Sequence, residues 1–203
     1  MRDGAPLGVP VSSDVARALK GATVAIDFSI AAAIGIHARA CASAGVPLLV
    51  GTTGLDEAAQ QALRLAAERI AVLVAPNTSI GVGVLAELAA SAARLLGPAV
   101  DIQIAEAHHR DKLDAPSGTA LALKRAIEQA TGRAPDSIGF AVVRAGDIVG
   151  EHTVNFASAG ERLELTHRAT DRLVFALGAL RAGEWLVGKP AGLYSMSDLL
   201  NQA

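Results

Sequence analysis

The strongest constraint on the fold is an alternation of short apolar runs with helical stretches in the first part of the chain. The apolar runs are VAIDFS at 24–29, VPLLVGTTG at 46–54 and AVLVAPN at 71–77. Two stretches of helical composition, 30–44 and 55–70, separate them. Buried strands that alternate with helices at this spacing form a parallel sheet with helices on its faces. The pattern therefore predicts an α/β domain.

The pattern changes after residue 79, where longer helices and alternating strands replace the short apolar runs. Helices are predicted at 79–97, 117–131 and 172–187, and strands at 100–109, 138–146, 150–157 and 161–169. Strands that alternate apolar and polar residues have one face on a core and one face free. We predict a partial Rossmann-like parallel-sheet domain at 1–78, to which 179–203 return, and an α+β domain with a mixed or antiparallel sheet at 79–178.

Charge and cysteine content exclude several classes of partner. The formal charge of −2 gives no general attraction to nucleic acid or to an anionic membrane. Cys41 is the only cysteine in the sequence, so no intramolecular disulfide can form, which fits a reducing, cytoplasmic setting. The N-terminus lacks the apolar core of a signal peptide. We expect a cytoplasmic protein with neither nucleic acid nor a membrane as partner.

Small and polar residues follow each of the three predicted strands of the first domain. They lie at 27–29, 51–54 and 75–78. In parallel sheets ligands bind at the carboxyl ends of the strands, so a ligand crevice is expected there. Asp27 could face this crevice or cap the helix that follows, and the cap is favoured.

The densest polar cluster is EAHHRDKLDAPSGTA at 106–120. Alternation along the preceding strand places Glu106 and His108 on the face that also carries Ile102 and Ile104, and it turns His109 to the other face. The PSGT turn opens a helix whose first backbone N–H groups can bind an anion. The cluster predicts a site for a small anion with an acid or base beside it.

Plainer interpretations of the same residues remain open. Ser117 is an ordinary helix cap, and a His-His pair also occurs at solvated strand ends or, less often, at metal sites. No metal is expected, because no cysteine or third imidazole lies nearby in the sequence to complete a set of ligands. His152 and His167 lie in alternating strands and are expected on a solvated or subunit-facing side.

The cluster resembles the signature of dihydrodipicolinate reductases, E-x-H-H-x-x-K-x-D-x-P-S-G-T-A. Further segments have counterparts in the same order, namely IDFS, VGTTG, APNTSIGV, VRAGDIVGEHTV, GERLELTHRA and GLYSMSDLL. The resemblance implies NADH- or NADPH-dependent reduction of 4-hydroxy-tetrahydrodipicolinate, a small cyclic dicarboxylate, in diaminopimelate and lysine biosynthesis. It also implies a homotetramer with contacts through the sheet at 138–169.

The resemblance assigns roles to residues position by position. His108 would be the acid/base residue, and Lys112 would donate a proton to the substrate. Contacts to the substrate would come from His109, Ser117, Gly118 and Thr119. Contacts to the cofactor would come from Gly51, Thr52, Thr53, Ala75, Pro76, Asn77 and Thr78.

Two parts of the family pattern have no counterpart in this sequence. The family begins with a strand and a G-x-x-G-x-x-G loop that holds the cofactor pyrophosphate, and residues 1–23 contain no such loop. A family loop near 132–138 is also shortened. These departures predict weakened cofactor binding. The alternative function is therefore a truncated, catalytically inactive homologue that binds dicarboxylates or oligomerises.

Overall fold

The structure is a computed structural model, and it describes residues 8–201. The α-helices are α1 (Val15–Leu19), α2 (Ala31–Ala44), α3 (Glu57–Ala67), α4 (Ile80–Leu96), α5 (Gly118–Thr131), α6 (Leu173–Leu186) and α7 (Met196–Leu200). The strands are β1 (Ala25–Asp27), β2 (Leu48–Val50), β3 (Ala71–Val74), β4 (Asp101–His108), β5 (Ile138–Arg144), β6 (Gly150–Ser158), β7 (Glu161–Ala169) and β8 (Gly192–Tyr194). A 3-10 turn at Pro135–Ser137 precedes β5.

The described residues form two compact units. One contains the chain up to Leu73 together with Gly183–Tyr194, and the other contains Val74–Ala182 together with the chain from Ser195 onward. The predicted domains divided the chain after residue 78 and returned all of 179–203 to the first domain. The units therefore differ from the predicted domains at both boundaries.

The first unit is built on a parallel sheet with the strand order β1-β2-β3-β8. Leu48, Leu49 and Val50 of β2 are all buried, as expected for a strand covered on both faces. Helix α3 begins at Asp56, whose side chain accepts a hydrogen bond from the backbone N–H of Ala59. This cap explains why the helix starts directly after the turn that follows β2.

The second unit has a mixed sheet with the strand order β5-β4-β6-β7. Strand β4 pairs in parallel with β5 and antiparallel with β6, which in turn pairs antiparallel with β7. One face of this sheet and helices α4 and α5 enclose a core of twelve buried residues: Leu85, Ala89, Ala93, Val100, Ile102, Ile104, Ala120, Leu123, Ile127, Ile138, Val154 and Phe156. Because α4 and α5 cover one face only, the other face of the sheet is left for a different contact.

The predicted fold class is confirmed: a parallel sheet with helices is followed by an α+β unit with a mixed sheet. Strand β8 was not predicted, because its three residues lie in a Gly- and Pro-containing segment that carries no periodic pattern. No helix among residues 8–201 combines the length and the apolar character needed to cross a membrane.

Helix α6 lies unusually close to the segment that follows β3. The Thr78 hydroxyl donates to the backbone carbonyl of Phe175 at 2.7 Å. A Cβ atom placed on Gly178 would lie 1.8 Å from the backbone oxygen of Thr78. Since that neighbour is backbone and cannot rotate away, only glycine fits at this crossing.

We expect Gly178→Ala to lower the free energy of unfolding by about 3 kcal/mol, because the added methyl group overpacks the crossing despite the better helix propensity of alanine. Urea unfolding measures the change. Gly183→Ala in the same helix is the matched control, since a Cβ there would meet side chains and no backbone, with Ile26 at 3.3 Å and Val24 at 3.6 Å. Equal stability of the two variants would contradict the tight crossing.

Candidate active site

Strand β4 carries two buried polar side chains toward the helices. Glu106 is 2% exposed and His108 is 8% exposed, and both share the inner face with Ile102 and Ile104. The predicted alternation along this strand is therefore confirmed. Because an ionisable side chain is rarely buried without partners, the surroundings of Glu106 and His108 mark the chemical centre of the second unit.

The Glu106 carboxylate is held by groups from three elements. Its Oε1 accepts hydrogen bonds from the backbone N–H of Ser117 and from Nη2 of Arg144, both at 2.9 Å. Its Oε2 lies 2.8 Å from Nδ1 of His108 and 3.9 Å from Nε2 of His152. The carboxylate thus joins β4 to β5, to β6 and to the start of α5.

Opposing influences set the pKa values of the two β4 residues. Burial alone would raise the pKa of Glu106, but hydrogen bonds from Ser117 and Arg144 outweigh it and lower the pKa below its ordinary value. Burial lowers the pKa of His108, Glu106 partly opposes this, and the charges of Lys112 and Arg144 lower it further. Near pH 7 the carboxylate is ionised and the unliganded imidazole is mostly neutral.

His152, from β6, belongs to this cluster, and its expected position on a solvated or subunit-facing side was wrong. It is 2% exposed, and its ring meets that of His108 edge to face, with centroids 5.1 Å apart. Burial, together with the nearby His108, lowers its pKa to about 4. The sequence could have predicted this position. His152 is separated from Val154 and Phe156 by even numbers of residues along β6, so it faces the same side, and those two residues belong to the core.

His167 lies on the same inner face as His152, which is its register partner on β6. Its Nε2 lies 3.3 Å from the Ser79 hydroxyl, next to the start of α4. The expectation of a solvated or subunit-facing side was therefore wrong for both histidines, for the same reason of strand parity.

The cluster contains a third potential metal ligand, which the sequence analysis had not found. Glu106, His108 and His152 offer three ligand atoms within 4.8 Å of one another, whereas the sequence argument found no third group to join a histidine pair. His109 is not among them. Two donors already occupy Oε1 of Glu106, and Oε2 is in close contact with His108 Nδ1, so these polar contacts account for the position of the carboxylate.

The loop after β4 positions Lys112. Pairing with β5 continues past the strand, since Ala145 N–H donates to the His108 carbonyl and Arg110 N–H donates to the Gly146 carbonyl. A turn closed by Lys112 N–H and the His109 carbonyl follows. His109 is half-buried at this turn.

The Lys112 ammonium forms an ion pair with Asp114, with Nζ 2.6 Å from Oδ1. Burial raises the pKa of Asp114, but Lys112 and the backbone N–H of Gly118 outweigh it and lower the pKa. The aspartate therefore interacts with both the cation of the loop and the helix start. The loop cation and the helix start are the two groups that were predicted from the sequence to bind an anion.

The predicted substrate residues lie at the start of α5. The Ser117 hydroxyl caps the helix by accepting from Ala120 N–H, and it lies 3.2 Å from His152 Nε2. No atom lies within 4 Å of the position that a Cβ on Gly118 would take, so the backbone is open there. The Thr119 hydroxyl accepts from Asn77 Nδ2 at 3.0 Å.

The segment 75–78, predicted to contact a cofactor, is close to this helix start. Asn77 bonds Thr119, Ala75 and Thr78 are buried, and Pro76 is exposed. A groove of about 530 Å³ between α4 and α5 is lined in part by Ala75, Pro76, Asn77 and Thr119. The structure therefore brings a predicted cofactor segment next to a predicted substrate residue within one unit.

The remaining predicted cofactor residues lie after β2 in the first unit. The Thr52 hydroxyl donates to Asp27 Oδ1 at 3.0 Å, and Thr53 is exposed. The aromatic ring of Phe28 covers Gly51 so closely that a Cβ there would be 2.2 Å from it. These residues form the carboxyl edge of the parallel sheet.

Asp27 does not cap α2, so the favoured interpretation of that residue was wrong. Helix α2 begins after Ile30 without any side-chain cap. The Asp27 carboxylate instead accepts from the N–H and hydroxyl of Ser29 and lies 2.6 Å from His37 Nδ1. It ties the turn after β1 to α2 and, through Thr52, to the turn after β2.

Comparison with known proteins places these features in one family. A family model for the N-terminus of dihydrodipicolinate reductase matches residues 2–78, and one for its C-terminus matches residues 81–200. The 4-hydroxy-tetrahydrodipicolinate reductase of Thiobacillus denitrificans is 50% identical over 214 aligned positions, which cover 97% of this chain and 80% of that protein. The reductase of the same name from Anaeromyxobacter dehalogenans is 48% identical, with 97% and 79% covered.

A solved structure agrees with the sequence comparisons. The dipicolinate-bound dihydrodipicolinate reductase from Paenisporosarcina sp. TG-14 superposes with a TM-score of 0.79 at 25% identity, covering 96% of this chain and 81% of that one. The chain belongs to the dihydrodipicolinate reductase family.

Proposed function

We propose that this chain is a 4-hydroxy-tetrahydrodipicolinate reductase of diaminopimelate and lysine biosynthesis that oxidises NADH or NADPH. The observation that carries the proposal is the grouping of His108, Lys112 and the open backbone at Gly118 within one unit, around the buried Glu106. An acid, a cation and a helix start are what the reduction of a cyclic dicarboxylate requires.

The substrate carboxylates find their partners in the second unit. One carboxylate fits the backbone N–H groups at the start of α5, where Gly118 permits a close approach and Thr119 is adjacent. Lys112 and His109 lie on the loop before the helix and supply a cation and a further donor. A structural relative is described as dipicolinate-bound, and dipicolinate is a planar dicarboxylate of this kind.

The nicotinamide cofactor fits the carboxyl edge of the parallel sheet in the first unit. Gly51 has no side chain at a point where the Phe28 ring lies against the backbone, and Thr53 is exposed. Ligands of parallel sheets bind at this edge. We assign Gly51, Thr52 and Thr53, with Ala75, Pro76, Asn77 and Thr78, to cofactor binding. The reduced nicotinamide supplies a hydride when it is bound.

Proton transfer falls to Lys112, with His108 as the neighbouring acid or base. Hydride addition to the substrate ring must be balanced by a proton, and the Lys112 ammonium carries one. Unliganded His108 is mostly neutral near pH 7 because burial lowers its pKa. A bound dicarboxylate brings negative charge to the site and raises that pKa, which makes His108 a better proton donor only when substrate is present.

The function is tested by following the oxidation of NADH and NADPH with substrate generated in place from pyruvate and aspartate semialdehyde. Oxidation that requires both precursors supports the reductase. Absence of oxidation by the intact chain, with retained binding of pyridine-2,6-dicarboxylate, would instead support an inactive dicarboxylate-binding homologue.

We expect Lys112→Arg to lower kcat by about 10²-fold or more while KM changes only a few-fold. Arginine keeps the positive charge that holds a carboxylate, but it does not release a proton near neutral pH. Steady-state kinetics with either cofactor separate the two parameters. The matched control is Lys124→Arg on α5, where the ammonium is 3.7 Å from Glu128 and outside the site. A kcat unchanged by Lys112→Arg would remove the assigned proton donor.

We further propose a homotetramer that forms through the outer face of the mixed sheet, the face not covered by α4 and α5. The central strands present Ala105, Thr153 and Asn155 there, and the ion pairs Glu151–Arg168 and Arg162–Glu164 lie on the same face. Val143 is half exposed and adds apolar surface on β5. A sheet face that combines small side chains with ion pairs suits contact with a second copy of the same sheet.

Thr153→Arg is expected to dissociate this assembly, because it places a charge in the middle of the face. Sedimentation velocity reports the mass of the species in solution. Gln129→Arg, at an exposed position of α5, is the control that adds the same charge on the opposite side of the unit. A wild-type monomer, or a tetramer that survives Thr153→Arg, would refute the proposed contact.

The remaining assignments follow from the same function. We assign cofactor binding mainly to the first domain and substrate binding and oligomerisation to the second. A cytoplasmic location fits an enzyme that draws on the pool of reduced nicotinamide, and Cys41 is a free, buried thiol. Burial, with the negative charge of Asp27, raises the pKa of that thiol to about 11, so it stays protonated and unreactive.

A further inference from the structure

The Glu106 carboxylate meets His108 in a way that determines where the imidazole proton sits. Both strong donors to Glu106, Ser117 N–H and Arg144 Nη2, reach Oε1. Oε2 lies 2.8 Å from His108 Nδ1, and neither of these two buried atoms meets hydrogen-bond geometry with any group among the described residues. Two lone pairs at this distance would repel each other strongly, so one of the two atoms must carry a proton.

That proton belongs to the histidine. An ionised carboxylate only accepts hydrogen bonds, and the donors on Oε1 keep Glu106 ionised despite its burial. His108 must then be protonated at Nδ1, and its Nε2 keeps a lone pair when the ring is neutral. A chemically useful Nε2 therefore follows from the position of Glu106.

The far side of the His108 ring is confined as well. A Cβ atom on Gly150, at the start of β6, would lie 3.2 Å from His108 Nε2 and 3.4 Å from Cδ2. His152 packs edge to face against the same ring and is neutral near pH 7, because burial lowers its pKa to about 4. The ring is thus bounded by a carboxylate, by bare backbone and by a neutral imidazole.

We propose that Glu106 is a positioning residue that holds His108 in the Nδ1-protonated tautomer and so presents Nε2 for proton exchange during the reaction. The proposal rests on the assigned reductase function for its kinetic consequence, but the tautomer itself does not depend on activity. Arg144 takes part indirectly: it holds Oε1 of Glu106 and also donates to the Asp114 carbonyl at 2.6 Å. It thereby joins the carboxylate to the loop that carries Lys112.

All the charged or titratable groups that face His108 are consistent with this role. Glu106 on β4 stabilises the imidazolium, while Lys112 on the loop and Arg144 on β5 destabilise it, and Asp114 opposes them weakly. His152 on β6 contributes no charge near neutral pH. Glu106 is therefore the strongest stabilising partner of a protonated His108, and its removal lowers the pKa of that ring.

Glu106→Gln tests the proposal with almost no change of shape. The Gln oxygen can still accept from Ser117 N–H and Arg144, which turns the amide NH₂ toward His108 Nδ1. Nδ1 must then accept a hydrogen bond, and the ring proton moves to Nε2. We expect nitrogen NMR of the folded protein to show the Nδ1–H tautomer for wild-type His108 and the Nε2–H tautomer for the variant, with His108→Gln identifying the signals.

The kinetic expectation follows from the tautomer. In Glu106→Gln, kcat falls by about 10²- to 10⁴-fold, the range for an imidazole locked in the wrong tautomer. The pH dependence of kcat moves to lower pH, while the affinity for pyridine-2,6-dicarboxylate changes only a few-fold. Glu128→Gln on α5 is the matched control, since its carboxylate pairs only with Lys124 in the described part of the chain.

The outcomes separate the two proposals. Wild-type His108 in the Nε2–H form overturns the positioning role whether or not the enzyme is active, and this measurement needs no folded Glu106 variant. Retention of kcat by a folded Glu106→Gln with a switched tautomer overturns it too. Absence of reductase activity in the wild type, with the Nδ1–H tautomer present, instead counts against the assigned function alone.

Discussion

The second unit depends on one buried ionic interaction. A carboxylate inside a protein is stable only if donors replace the water that it has lost, and Glu106 obtains them from a helix start and from Arg144, with His108 against its free oxygen. Each partner comes from a different element, so satisfying one charge also fixes the start of α5 and the end of β5 relative to β4. The geometry of the site is a consequence of that requirement.

The same requirement explains the order of residues in the motif. Glu106 and His108 lie two residues apart and therefore share one face of a strand, which brings carboxylate and imidazole together without a loop. Lys112 lies beyond a turn, where it pairs with Asp114, while Ser117 is far enough along the chain to return its N–H to Glu106. The motif therefore supplies Glu106, His108 and Ser117 to the network, and Arg144 and His152 join it from later strands.

Much of this was predictable from the sequence, and the failures have physical causes. Strand alternation correctly placed Ile102, Glu106 and His108, because burial of one sheet face imposes a strict period of two. The inner position of His152 follows from the same rule, but its polarity obscured it. The role of Asp27 was predicted wrongly because an aspartate at the end of a strand can either cap the next helix or stabilise the turn before it. The bond between Asn77 and Thr119 joins residues 42 positions apart, and no local pattern reports such a contact.

The pairing of Lys112 with Asp114 has a consequence for selectivity. A cationic site without a counter-ion would attract any small anion of the cell, from chloride to phosphate. In this chain the Asp114 carboxylate already interacts with the Lys112 ammonium and with the start of α5. An anion that binds Lys112 or the start of α5 must therefore compete with the Asp114 carboxylate. Competition from an internal carboxylate lowers the affinity of the site for every anion, and the loss matters most for anions that make few other contacts.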